Sequence, residues 1–136
     1  MDRKEKVGEE KLILLDTDVI IRALDKKSDK EEVLMLRIIE SGEECCTSSV
    51  NMREVLYGIE KYSKDSHLVR QIPTLGYNKN DSELSAVLEL SAERKGRHVP
   101  RTDAIVASVA INNGCSLYTL DDHFEAFTDN GLKLFR

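Results

Sequence analysis

The sequence predicts an α/β fold, a three-layer α/β/α sandwich with a central parallel sheet. The first observation behind this prediction is the unbroken apolar run Leu12–Leu15. A strand that is buried on both faces reads as such a run, and strands of this kind occur in parallel sheets. The second observation is that short apolar segments alternate with segments of helical periodicity along the chain. Alternating strands and helices imply parallel pairing through right-handed crossovers.

The first half of the chain is predicted to alternate between these two kinds of element. After a strand at residues 11–15 come, in order, a short helix at 18–24, a helix at 31–39, a strand at 44–47, a helix at about 50–62 and a short strand at 74–77. The helix at 50–62 has an apolar face formed by Met52, Val55, Leu56 and Ile59. The polar stretch 63–72 is predicted to be helical only in part.

The second half of the chain opens with a helix that is predicted to face the core. One stripe of this helix repeats at i, i+3, i+4, i+7 and i+8 and consists of Leu84, Val87, Leu88, Ser91 and Ala92. All five side chains are therefore expected on the buried face, and Gly96 is expected to end the helix.

The next helix is predicted to begin just after Pro100. Thr102 or Asp103 is expected to cap its first turn, and residues 104–111 are nearly all apolar, so the helix is predicted to be buried. The Asn-Asn-Gly turn at 112–114 ends it, and strands are predicted at 116–120 and 132–135.

The length and composition fit one globular domain. With 136 residues, of which 40% are hydrophobic and 33% charged, the chain can enclose a core without disulfides or a structural metal. We therefore predict a single domain over residues 1–136, with residues 1–10 as a flexible N-terminal extension. This charged N-terminus lacks the apolar segment of a signal peptide, and no apolar run is long enough to span a bilayer, so we expect a cytoplasmic protein with no membrane partner.

The cysteines and histidines argue against a disulfide framework and a zinc site. Cys45, Cys46 and Cys115 are odd in number and form no spaced pair of pairs. The three histidines show no His-Glu-x-x-His spacing, so any metal is expected to be held by oxygen atoms. The net charge of −5 argues against a general nucleic-acid coat, but four cations within residues 94–101 allow either a solvated loop or a local basic patch.

Four acidic residues adjoin apolar segments of the chain: Asp16, Glu54, Asp103 and Asp121. In the predicted sandwich two of them follow strand ends, one begins a helix and Glu54 lies in the second turn of another. Ligands of parallel sheets bind beyond the carboxyl ends of the strands, so all four acids are expected to face one crevice. A cluster of like charges resists joint ionisation, and a hard cation such as Mg²⁺ relieves that repulsion. Such ions can activate a water and stabilise the leaving oxygen of a phosphodiester.

Most of these polar residues also have a purely structural explanation. Asp18 and Asp103 are good N-cap residues. Asp121 or Asp122 can form an Asx-turn, and Thr119 can be an ordinary hydroxyl at a strand end. The pattern that the acids form together is what favours the functional reading.

Glu54 taken alone is best explained as a helix surface residue that pairs with Arg53 or Lys61. Its place in an ordered set of four acids changes this interpretation, because the joint pattern favours a shared site.

Four motifs follow one another along the chain: Leu-Asp-Thr-Asp-Val-Ile at 15–20, Ser-Val-Asn-Met-Arg-Glu-Val-Leu-Tyr-Gly at 49–58, Thr-Asp-Ala-Ile-Val-Ala at 102–107, and Thr-Leu-Asp at 119–121 with Phe124. In this order they resemble the motifs of the PIN-domain ribonucleases, and most closely those of the VapC-like toxins of prokaryotic toxin–antitoxin pairs. The resemblance extends from about residue 11 to the end of the chain. Each motif is weak alone, and the four in order are specific.

The resemblance implies a Mg²⁺- or Mn²⁺-dependent endoribonuclease with RNA as its substrate. Such proteins are commonly homodimers and are inhibited by a small antitoxin that blocks the acidic pocket. The family's first catalytic Asp matches Asp16, its helix Glu matches Glu54, its third acid matches Asp103 and its last acid matches Asp121. These four are the expected catalytic and metal-binding residues.

Two further groups of residues are expected around this centre. Polar residues that support the metal ligands from the outer sphere are expected to be Asp18, Thr17, Thr119 and Asp122, of which the last also competes with its neighbour for the role of fourth acid. Cations that guide the RNA backbone are expected to be Arg97, Arg101 and Arg53.

Two other interpretations fit parts of the sequence. Asp16-Thr-Asp18 after an apolar strand also resembles the nucleophile motif of haloacid-dehalogenase-type phosphatases, with the Leu-Asp-Asp at 120–122 as the late acidic pair. Asp16 would then be phosphorylated and Asp18 would be the acid/base, but Ile20 stands where that motif has Thr or Val, and two of the four acids would have no role. The other alternative is a non-catalytic PIN fold that binds RNA or protein, against which the presence of all four acids argues.

Overall fold

A computed structural model of the chain describes residues 12–24 and 44–136. The predicted extension at 1–10 and the predicted helix at 31–39 lie outside these ranges. None of the helices in the described part of the chain has the length and apolar content that crossing a bilayer requires.

The described strands form one parallel sheet. They are β1 (Leu12–Leu15), β2 (Glu44–Ser48), β3 (Thr74–Leu75), β4 (Ser116–Tyr118) and β5 (Lys133–Leu134). Their order across the sheet is β3-β2-β1-β4-β5, and each neighbouring pair is parallel. The prediction of a parallel α/β sheet is confirmed. Because the strands are parallel, the carboxyl ends of β1, β2 and β4 lie at the same edge of the sheet.

The described α-helices are α1 (Thr17–Leu24), α2 (Ser49–Lys61), α3 (Lys79–Arg94) and α4 (Arg101–Asn112). Short 3-10 helices lie at Val69–Gln71 and Asp122–Asn130. These bounds agree with the predicted helices to within a few residues. The strands predicted at 116–120 and 132–135 are shorter than expected, because Thr119, Leu120, Leu132 and Phe135 lie outside them.

Two apolar cores, one on each face of the sheet, make the fold a three-layer sandwich. Alternate residues of β1 point to opposite faces, as a strand requires. Ile13 and Leu15 pack with α1 and α2, including Val19 and Val55. Leu14 packs on the other side with α3 and α4. The α/β/α prediction is therefore confirmed, and its basis is an apolar strand that has a helical layer on each side.

The buried face of α3 matches the prediction at Leu88 and Ala92 and differs from it at Val87. Val87 is 58% exposed, and the buried positions of the helix are Asp81, Ser85, Leu88 and Ala92. Asp81 is satisfied there because it accepts hydrogen bonds from the backbone N–H of Asn78 and from Asn112 Nδ2 of α4, the latter at 2.8 Å. A buried polar residue with partners costs little, so Asp81 can share the buried face of the helix with Leu88 and Ala92.

The start of α4 also differs from the prediction. The residue before the helix is Pro100, and no side chain caps this end. Asp103 lies in the first turn, and its backbone N–H bonds the carbonyl of Pro100. Neither Thr102 nor Asp103 is the N-cap, so the carboxylate of Asp103 is left for another use.

Candidate active site and metal centre

Asp16 is a buried carboxylate fixed between two strand ends. It follows β1 directly and its backbone N–H bonds the carbonyl of Tyr118 in β4. Its Oδ1 accepts a hydrogen bond from Asn51 Nδ2 at 2.9 Å, and its Oδ2 accepts one from the hydroxyl of Thr119 at 2.6 Å. Burial raises the pKa of Asp16 to about 6, and the charge of Asp18 adds to this rise. The two hydrogen bonds thus hold the side chain in one place, while its burial disfavours the ionised form.

Glu54 is connected to Asp16 through Thr17 and Asn51. The hydroxyl of Thr17 donates to Glu54 Oε1 at 2.6 Å and accepts from Asn51 Nδ2 at 3.0 Å. Glu54 therefore has a partner across the site. The cations of its own helix that were candidates for pairing with it, Arg53 and Lys61, each lie 6.0 Å from the centre of the Tyr57 ring.

Asp103, Asp121 and His123 form a group whose ligand atoms all lie within 4.8 Å of one another. His123 Nδ1 is 2.9 Å from Asp121 Oδ1 and 3.6 Å from Asp103 Oδ2. Burial, together with the charges of Asp121, Asp16 and Glu54, raises the pKa of Asp103 to about 7. The electrostatic effect of these three on Asp103 means that the four predicted acids share one site.

Asp18 lies inside the first turn of α1, so it is not the residue that caps this helix. Its Oδ2 accepts a hydrogen bond from the backbone N–H of Leu120 at 3.2 Å. Burial raises its pKa, and the charge of Asp121 contributes. Its second oxygen, Oδ1, is buried and has no hydrogen-bond partner among the described residues.

The two adjacent acids after β4 have different surroundings. Asp121 accepts a hydrogen bond from the backbone N–H of His123 at 2.9 Å, so the Asx-turn explanation holds for it. The same residue also belongs to the group with Asp103. Asp122 is exposed at the start of the 3-10 helix. The structural and the functional explanation of Asp121 are therefore compatible.

These side chains fit a divalent cation. Within the described residues, Asp103 Oδ2 and Asp18 Oδ1 are buried oxygens that lack hydrogen-bond partners. Buried acceptors are normally satisfied, and carboxylates with raised pKa values gain most from a neighbouring positive charge. Carboxylate oxygens are the ligands that Mg²⁺ and Mn²⁺ prefer. The residues present would hold such an ion through Asp16, Asp103 and Asp121, with Glu54 nearby.

Two residues of the site were not among those expected from the sequence. Asn51 is 1% exposed, and its side chain donates to Asp16 and Thr17 and accepts from the hydroxyl of Ser48 at 2.6 Å. A polar residue one turn before Glu54 on an apolar helix face was the available indication. His123 places an imidazole in a site that was expected to contain only oxygen ligands, and its position two residues after Asp121 was the indication for it.

The three arginines expected to guide RNA are in different situations. Arg101 is tied to Glu89, with Nε 3.1 Å from Oε1 and Nη2 3.3 Å from Oε2. Arg53 lies over the Tyr57 ring. Arg97 lines a groove of about 690 Å³ beside the acids, together with residues 98–99 and 120–123, Asp18 and Arg22.

Comparison with known proteins agrees with this fold. In solved structures, a chain of the VapBC2 complex of Rickettsia felis bound to a promoter DNA fragment superimposes with a TM-score of 0.76, at 20% identity, covering 91% of this chain and 97% of that chain. For FitAcB of Neisseria gonorrhoeae the TM-score is 0.75 at 21% identity, with coverages of 91% and 96%. For VapC20 of Mycobacterium tuberculosis, a toxin that cleaves the sarcin–ricin loop, it is 0.66 at 15% identity, with coverages of 91% and 98%. At these identities the likeness shows a shared fold.

A comparison with curated protein sequences gave no match. The PIN domain family model matches residues 13–130, which is most of the chain and includes all four acids of the site. The chain therefore belongs to the PIN domain family.

Proposed function

We propose that this protein is a metal-dependent endoribonuclease and the toxin of a VapBC-type toxin–antitoxin pair. The observation that carries the proposal is the charged interaction of Asp103 with Asp16, Glu54 and Asp121 in a site with buried, unpartnered carboxylate oxygens. Membership of the PIN domain family and the likeness to chains of VapBC complexes support it.

The proposed cofactor is Mg²⁺ or Mn²⁺, held by Asp16, Asp103 and Asp121. Glu54 either binds the ion or orients the attacking water. When bound, the ion activates water and stabilises the negative charge that develops on the leaving oxygen of the RNA. His123 lies within bonding reach of Asp121 and is a candidate for the same ligand shell.

The surrounding residues keep the acids in place. Asn51 and Thr119 each donate to one oxygen of Asp16, and each oxygen has lone pairs left for a cation. Thr17 holds Glu54 in the same way. In the absence of an ion, repulsion between the acids favours their protonated forms, and a cation replaces those protons when it binds.

The substrate and partners proposed here are RNA, a small antitoxin and a second copy of the chain, and the proposed location is the cytoplasm. The relatives in complex with antitoxins or promoter DNA support the antitoxin partner. Arg97, Arg101 and Arg53 are proposed to guide the RNA backbone. Arg101 would first have to release Glu89, which makes it the most costly of the three to recruit.

The test is RNA cleavage by the purified protein with Mg²⁺ or Mn²⁺ and with EDTA, compared with the variant Asp16→Asn. The variant keeps an isosteric side chain and is expected to fold but to lose cleavage by a factor of about a thousand. Undiminished cleavage by Asp16→Asn, or cleavage in EDTA, would contradict the proposal. Turnover of p-nitrophenyl phosphate without RNA cleavage would point to the phosphatase alternative.

A further inference from the structure

The groove beside the acids has a size and lining that match a small polar ligand. Its volume of about 690 Å³ lies within the range of typical ligand sites, roughly 300–1,000 Å³. One wall is the loop between α3 and α4 with Arg97, His98 and Val99, and the other is the turn after β4 with Leu120. Asp18 and Arg22 of α1 complete the lining, so three segments of the chain bound the groove.

Both walls are fixed to the body of the protein. The backbone N–H of Arg97 bonds the carbonyl of Ala92, so the loop closes back on the end of α3. Gly96 permits this with a φ of 73°, a left-handed conformation that favours glycine. On the other wall the N–H of Leu120 bonds Asp18. The groove thus exists before any ligand arrives.

The lining provides a different contact for each part of a nucleotide. Arg97 offers an exposed guanidinium that is engaged in no ion pair with the other described residues, and a guanidinium binds phosphate oxygens in a bidentate manner. Leu120 is 42% exposed and Val99 packs against the core, so they supply apolar surface for a base. The exposed carboxylate of Asp122 repels a phosphate, which directs the neighbouring phosphate of the RNA to the Arg97 wall.

The groove is continuous with the candidate metal centre. Asp121 and His123 line it and also belong to the group with Asp103. A phosphodiester held at the acids therefore places its neighbouring nucleotide in the groove. We propose that the groove seats the nucleotide next to the cleaved bond, with its phosphate on Arg97 and its base against Leu120 and Val99. This inference rests on the proposed ribonuclease function.

The inference is tested by the binding of a short, fluorescein-labelled single-stranded RNA, measured by fluorescence anisotropy in the presence of Mg²⁺. The protein carries the Asp16→Asn substitution so that the RNA stays intact. Arg97→Ala is expected to weaken binding about tenfold and to reduce the salt slope of the affinity by about one. Leu120→Ala keeps its backbone bond to Asp18 and is expected to weaken binding by about threefold with an unchanged salt slope. Arg70→Ala is the matched control, because Arg70 is an exposed arginine outside the groove, bonded to Ser66.

Arg97→Lys is a second variant that keeps the charge and removes the bidentate geometry, and an intermediate loss is expected from it. Equal binding by Arg97→Ala and Arg70→Ala would overturn the groove assignment. In the catalytically intact protein, Arg97→Ala is expected to raise KM and to leave kcat nearly unchanged. If Arg97→Ala leaves KM unchanged in a protein that cleaves RNA, the groove assignment is refuted and the ribonuclease proposal stands. Arg97-dependent RNA binding by a protein that cleaves nothing would support the groove and refute the nuclease.

Discussion

The two sides of the candidate site are held in contrasting ways. On the β1 side, neutral donors from Asn51, Thr17 and Thr119 are bonded to Asp16 and Glu54. On the α4 side, Asp103 has a buried oxygen with no hydrogen-bond partner within the described ranges, and its neighbours are another acid and His123.

The difference indicates that the two sides have different sources of stability. The β1 side is preorganised by the fold, since each carboxylate there has a donor in place. The acids on the α4 side repel one another, and a bound cation would offset that repulsion.

The largest effect is expected from Asp103→Asn. It removes a ligand from the side that depends on the ion, so cleavage is expected to fall by about a hundredfold or more. The same change removes a buried charge, so the ion-free protein is expected to be more stable by about 1 kcal/mol at neutral pH. RNA cleavage and thermal unfolding in EDTA measure the two effects.

Asp129→Asn is the control for this variant, because Asp129 is an exposed acid that pairs with Lys95 at 3.6 Å. It is expected to change neither cleavage nor stability. A loss of stability in Asp103→Asn would show that the α4 side is not under electrostatic repulsion.

The next effect is expected from Asn51→Asp, which acts on the preorganised side. The substitution replaces a hydrogen-bond donor with a carboxylate that faces Asp16. We expect a loss of roughly 1–3 kcal/mol in the free energy of unfolding. We also expect ten- to hundredfold weaker Mn²⁺ binding, which is the size of effect typical of residues that hydrogen-bond to metal ligands. Calorimetric titration with Mn²⁺ measures the second effect independently of activity. Asn80→Asp, an exposed position in the first turn of α3, is the control. Wild-type Mn²⁺ affinity in Asn51→Asp would contradict the positioning role.

The dependence of stability on pH tests both sides together. Asp16 and Asp103 have pKa values of about 6 and about 7 in the folded protein, against an ordinary value of 3.8. Between these values the folded state holds more protons than the unfolded state, so the free energy of unfolding falls as pH rises. We expect the ion-free protein to lose several kcal/mol of stability as the pH rises from about 4 to about 7, measured by urea unfolding in EDTA. A flat profile in EDTA would contradict the raised pKa values, and saturating Mg²⁺ is expected to flatten the profile.

The smallest effect is expected from His123→Gln. If the imidazole is one ligand among several carboxylates, its loss is expected to weaken Mn²⁺ binding by about tenfold and to leave the fold intact. The loss is expected to be smaller than that in Asp103→Asn in the same titration. Identical Mn²⁺ affinities of wild type and His123→Gln would limit the role of His123 to its hydrogen bond with Asp121.

Much of the fold followed from patterns that span only a few residues. The apolar run of β1 and the nearly all-apolar α4 are buried as expected, because a segment with no polar face has no stable exposed arrangement. The stripe of α3 was misjudged at Val87, and the burial of Asp81 was missed because its partner is Asn112, 31 residues away. The periodicity of one helix carries no information about a hydrogen-bond partner on another helix.

Asp16, Asp103 and Asp121 could be identified because each lies at a strand end or a helix start, where a parallel sheet presents its ligands. Glu54 lies in the second turn of α2 and was identified from its place in the ordered motifs. The residues that donate hydrogen bonds to these acids could not be identified from the sequence. Asn51 donates to a residue 35 positions earlier in the chain, and Thr119 to one 103 positions earlier. Hydrogen bonds of this kind form only after strands and helices have been brought together.

The sequence by itself determined the order of strands and helices, the two-sided burial of β1 and the identity of the four acids, because these depend on residue type and spacing. Only the tertiary structure decided which carboxylates are paired with neutral donors and which are left unpartnered, and that Arg97 faces the groove whereas Arg101 binds Glu89. The physical reason is that burial and charge are properties of surroundings assembled from distant segments, and a pKa or a hydrogen bond depends on those surroundings.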